Sequence, residues 1–154
     1  MTIFFVNLQC LVFLVFVIAQ LARCVTDLVQ LDHDISAIYQ NPDPVKKQIL
    51  MDNVHLYLIT LRRFNTMTKK GCPENSEQAA ELVHSGGPNF LKSFAFYSDE
   101  EQVLRHKMNF TDFQFQEYQY YRLDAENEWN ELKDQIAHLD RDREKENELR
   151  REKY

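Results

Sequence analysis

Few side chains in this chain of 154 residues are placed to do chemistry, and they are scattered. Asp32-His33-Asp34 sets a histidine between two carboxylates, the residue types of a metal site or an acid–base pair. Adjacent side chains on a helix point in different directions, so an ordinary polar helix face is the expectation there. The other histidines, His55, His84, His106 and His138, fall at no ligand spacing, and Cys72 has no second cysteine near it. "HSGGPNF", residues 84–90, has two glycines but lacks the Lys-Ser/Thr of a phosphate loop, which makes Gly86-Gly87 a helix stop. HExxH and GxSxG are also absent from the sequence. The expectation is therefore a non-enzyme, with no catalytic, cofactor-binding or metal-binding residues.

What the thiols can do depends on compartment. From Ile3 to Ala22 no side chain ionises, and Leu11 to Ala19 is an unbroken apolar run of signal-peptide length. A cut after Ala19 releases a chain starting at Gln20, and a cut after Cys24 one starting at Val25. The first is expected, with residues 1–19 as signal peptide and the product secreted. The rival is an uncleaved anchor, since the run is about long enough to span ~30 Å of hydrocarbon. After the first cut Cys24 and Cys72 remain as a pair in an oxidising compartment. A disulfide between them would close a loop that stabilises the fold by roughly 4 kcal/mol on chain entropy. Asn109-Phe110-Thr111 is an N-x-T glycan acceptor between expected helices, which fits the same compartment.

Two apolar groupings are candidates for binding. Trp129, Leu132, Ile136 and Leu139 recur at spacings of 3, 4 and 3, a helical seam too short for a sustained coiled coil. It either packs on the body or meets a protein partner or a second copy of the chain. The second grouping is aromatic: residues 90–121 hold 10 of the 19 aromatic side chains. Phe94, Phe110, Phe113, Tyr118 and Tyr121 would line a cavity in a carrier of small apolar ligands, although aromatic stripes at helical spacing usually fill a core.

The elements that position these residues are helical throughout. All four prolines and all three glycines lie between residues 42 and 88, so the 66 residues after Pro88 lack the usual turn formers. Leu28, Leu31, Ile35 and Ile38 mark a helix over about Thr26 to Tyr39, ended by Asn41-Pro42. Asp43 caps the next helix, with Pro44 at its first position. Its main face is Leu50, Val54, Tyr57, Leu61 and Phe64, widened by Ile49, Leu56, Leu58 and Ile59. A short helix ends at His84, "NFLKSFAFY" adds a turn or two, and Ser98 to Glu101 carries capping-box spacing. Thr111 to Gln114 repeats that spacing and opens the last helix. The alternation in "FQFQEYQYY" resembles a strand, but no partner strand is in sight, and helix is expected.

From Asp140 to Tyr154, 12 of 15 residues are charged, six of each sign. A helix of about 40 residues would span roughly 60 Å, more than the diameter of a domain of this size, so its end must project. The expected architecture is all-α: a body of three to five helices over residues 20–139 and a charged arm over 140–154. Net charge is −6 and no basic stripe carries aromatic readers, which argues against nucleic acid. The function expected is protein binding through the C-terminal helix, in the extracellular space. A membrane enters only if the N-terminal segment stays uncut.

Overall fold

The computed structural model describes residues 23–70, 73–93 and 100–151, without the side chains of 73–75 and 92–93. The expected signal peptide, Cys72, Phe94 and the Ser98 cap lie outside these residues. All regular structure among the described residues is helical. Helix α1 covers 23–40, and a single 3-10 turn, Pro44–Lys46, leads into α2, Lys47–Lys69. Then come α3, Pro73–His84, and the short α4, Asn89–Ser93. Helix α5, Glu100–Gln102, runs on as one π turn, Val103–Lys107, and α6 spans Asp112–Arg151.

The local signals act as the chain suggests. Asp43 accepts a hydrogen bond from the Val45 amide at 2.9 Å, with Pro44 behind it needing no partner for an N–H. Thr111 Oγ1 accepts from the Gln114 amide at 3.2 Å, and Gln114 Oε1 accepts from the Thr111 amide at 3.1 Å, a complete capping box. Gly86 and Gly87 have φ of 97° and 71°, a left-handed turn that only glycine enters freely. Gly87 has a second reason: a Cβ there would sit 2.4 Å from Trp129 Cζ2 on α6.

Helices α2 and α6 lie side by side and parallel. Lys47 Nζ donates to the Asn109 carbonyl at 3.1 Å at one end, His55 stacks on Tyr121 midway, and Lys69 pairs with Glu131 at 2.6 Å at the other. Parallel neighbours need a crossover, because the second must start where the first began. Residues 70–111, with α3 to α5, return the chain along about 33 Å of α2. Asn65, fully buried, fixes the register: its Nδ2 donates to both the backbone oxygen and Oε2 of Glu128 at 2.8 Å. Arg62 adds ion pairs to Asp124 at 2.7 Å and Glu128 at 3.2 Å.

The core joins the stripe of α1 (Leu28, Leu31, Ile35, Ile38) to Leu50, Val54, Tyr57, Leu58, Leu61 and Phe64 of α2 and to one face of α6. The expected widening of the α2 face is corrected at three positions. Leu58 is buried, but Ile49, Leu56 and Ile59 are about half exposed, because they point away from both α1 and α6.

Candidate functional site

The C-terminal seam does not face a partner. Trp129, Leu132 and Ile136 are buried in the intramolecular core, and Leu139 packs at its edge. The expectation that these four form a partner-binding surface is corrected: α6 lays them against the body, with Trp129 seated on Gly87. His84, at the end of α3, reaches Asp140 at 3.2 Å and fastens the last packed turn. Beyond it every side chain from Arg141 to Arg151 is exposed. Glu146–Arg150 pairs at 2.7 Å and Asp142–Lys145 at 3.9 Å within the arm.

The opposite face of α6 is the one presented outward. Phe113 is 74% exposed, Tyr120 60% and Leu123 55%. At 100° per residue Phe113 and Tyr120 lie within about 20° of each other, with Leu123 some 60° round the helix from Tyr120. Sequence reasoning placed Phe113 with Phe110, Tyr118 and Tyr121, but Phe110 precedes the helix and cannot set its phase. Phe115, Tyr118, Ala125, Trp129, Leu132 and Ile136 set it, and that set excludes Phe113.

Among the described residues, Phe110, Phe113, Tyr118 and Tyr121 therefore do not face one common space. Phe110 and Tyr118 close on each other edge to face, with centroids 6.1 Å apart, inside the core. Tyr121 is half-buried, stacked on His55 at 4.4 Å beside a polar groove of about 140 Å³ between α2 and α6. Of the expected ligand-lining set, Phe110 and Tyr118 are corrected to core packing and Phe113 to an exposed ring, while Phe94 lies outside the described residues.

What those aromatics do hold is a buried polar chain. The Tyr39 and Tyr118 hydroxyls are hydrogen-bonded, Tyr118 bonds onward to Glu100, and Glu100 accepts from Arg122 at 2.6 Å. Burial pushes the Glu100 carboxyl above the usual carboxylate range, against the opposing pull of Arg122 and Tyr118. Burial also raises Tyr118 well above an ordinary phenol, helped by Tyr39 and by the Glu100 charge. Both groups stay hydrogen-bonded, and the chain ties α1, α5 and α6 together.

Asp32 departs from its expected role. It is buried, and its two oxygens accept from the Asn89 and Phe90 amides at 2.9 and 2.8 Å, capping α4 from a different helix. His33 is exposed and touches only Asp34, at 3.4 Å, as a polar face would have it. Asp32 also borders two clefts. One, of about 400 Å³, runs along α1 past Ser36 to Asn89, and the other, of about 230 Å³, is an open cleft bordered by α1, α2, α3 and the glycine turn.

Cys24, in the first turn of α1, is buried in the core and forms no disulfide among the described residues. Burial raises its thiol, which suppresses the reactive thiolate. Asn109 is exposed, with φ of 54° in the left-handed region that asparagine tolerates, just before the α6 cap. Among the described residues no His, Cys, Asp or Glu cluster could hold a metal ion, and no helix is long and apolar enough to cross a membrane. Set against known protein families, curated proteins and solved structures, the chain finds no match.

Proposed function

We propose that this is a small secreted helical protein that acts by binding another protein, not by catalysis, and that it does so along the outward face of α6 and the arm beyond it. The observation that carries the reading is the exposure of Phe113, Tyr120 and Leu123 on the face of α6 opposite its buried seam. Large apolar side chains grouped on a surface mark interaction sites more often than singly scattered ones do. On the neighbouring helix Ile49, Leu56 and Ile59 are exposed as well, so both members of the parallel pair present apolar side chains outward. An amphipathic partner helix is the occupant such a surface suits. The charged arm, carrying both signs, would extend that contact and set its orientation. Secretion, the Cys24–Cys72 disulfide and a glycan at Asn109 belong to the same reading.

The test places a photo-crosslinking residue at position 120 or at position 70 of protein from eukaryotic secretory expression. Position 120 is expected to capture one partner, reproducibly, and position 70 none. Replacing Phe113 and Leu123 with Ser should abolish capture while melting stays within about 2 °C, as exposed positions allow. Capture that ignores these substitutions would sink the proposal, and a captured second copy would make the interface a self-association. Intact mass before and after reduction and deglycosylation tests the rest: a chain starting at Gln20, two hydrogens lighter when oxidised and carrying a glycan, is the expected product.

A further inference from the structure

We propose that the two clefts meeting at Asp32 form one binding site for a small organic amine, its ammonium held by Asp32 and Ser36 and its apolar body lying against Leu28, Leu82 and Pro88. The site is independent of the protein-binding face on α6.

The Asp32 carboxylate, on a residue only 9% exposed, lacks a counter-ion among the described residues. A buried carboxylate is normally paired, because losing hydration costs several kcal/mol per ion. The two amide bonds from Asn89 and Phe90 occupy one acceptor site on each oxygen, and each oxygen has two. Each oxygen therefore keeps capacity for a further donor, and Asp32 lines both clefts.

A second polar group points to the same occupant. Ser36 lies one turn after Asp32 on the same face of α1, and its hydroxyl oxygen is buried without a hydrogen-bond partner. It lines the larger cleft together with Asp32. An ammonium has three donors and no acceptor, so with the Ser36 side chain rotated into the cleft it can meet the carboxylate and the hydroxyl together. A carboxylate ligand would meet Asp32 as a like charge. A neutral alcohol could donate once but would leave the buried charge without compensation.

The walls set the rest of the ligand. Leu28, Leu82, Pro88 and the Tyr57 ring supply apolar surface in the smaller cleft, whose 230 Å³ equals about eight water volumes of ~30 Å³ each. The larger cleft falls inside the usual range for small-molecule sites. Val29 borders both and is 57% exposed, so it stands at their mouth.

The test titrates the full chain with 2-phenylethylamine, 2-phenylethanol and phenylacetate, followed by calorimetry and by amide chemical shifts. The amine should saturate and shift the Asp32, Ser36 and Asn89 amides. The alcohol should bind at least about tenfold more weakly and phenylacetate not at all. Val29→Trp blocks the mouth from an exposed position and should remove amine binding with the fold intact. Asp32→Asn leaves one acceptor for α4 and should weaken the amine at least about tenfold. Equal binding of amine and alcohol, no saturation by about 10 mM amine, or unchanged binding to Val29→Trp would overturn the assignment. Where Asp32→Asn does not fold, the Val29→Trp result decides.

Discussion

Gly87 turns the chain after α3 with φ of 71° and is also the floor under Trp129, 42 positions later. A Cβ at Gly87 would incur both the left-handed backbone cost of about 1–2 kcal/mol and a clash with the indole. Gly87→Ala is therefore expected to lose about 2–4 kcal/mol in urea unfolding, and a loss below 1 kcal/mol would show that Trp129 sits elsewhere. Glu100 gives a prediction of a different kind. Its carboxyl is raised by burial, so the folded chain holds that proton more tightly than the unfolded chain does. The sign follows: this group favours folding below its ordinary range and loses that contribution as pH climbs through its raised folded value. Relative to wild type, Glu100→Gln should gain stability as pH rises from about 4 toward 7. A difference flat with pH would mean that Arg122 cancels the burial.

At the scale of elements, the helices and their ends were legible because they rest on local rules. Asp43, Pro44, Thr111 and Gln114 act within a few residues of themselves, and the stripes of α1 and α2 carry their own period. What was not legible is pairing. Nothing near Asp32 announces that it caps a helix 57 residues away, nor does the spacing of Arg62 and Asn65 reveal that α6 runs parallel beside them. Phe113 departs from the expected ligand-lining set for a similar reason: the contacts of Phe115, Tyr118, Ala125 and Trp129 with the body set the phase of α6, and they leave Phe113 outside. The Thr111 cap allows a quantitative check at this scale. In bacterially produced protein Thr111→Ala should cost about 1 kcal/mol and Thr111→Ser close to nothing. The same pair read in secreted protein separates capping from glycan attachment, because Ser keeps the N-x-S/T acceptor and Ala destroys it. A cost for Ser as large as that for Ala would remove the hydroxyl bond to the Gln114 amide from the account.

For the whole molecule the question is where the body stops. Helix α6 has uniform backbone geometry over 40 residues, yet its environment changes at the His84–Asp140 contact. Before it, Leu132 and Ile136 are buried; after it, no described residue is. A helix without tertiary packing is marginal in water, and pairs such as Glu146–Arg150 add only about 0.2–0.5 kcal/mol each. Two truncations place the boundary. Ending the chain after Asp140 should move the melting midpoint by less than about 2 °C, because only exposed side chains are lost. Ending it after Gln135 removes Ile136, Leu139 and the partner of His84, and should cost about 2–5 kcal/mol. Hydrogen exchange on the full chain supplies the matching profile, with amides of 115–136 protected and those of 141–151 exchanging near the unfolded rate. Equal protection across Asp140 in the isolated protein would mean that the arm is held by something other than the body, and a second copy of the chain would be the first place to look.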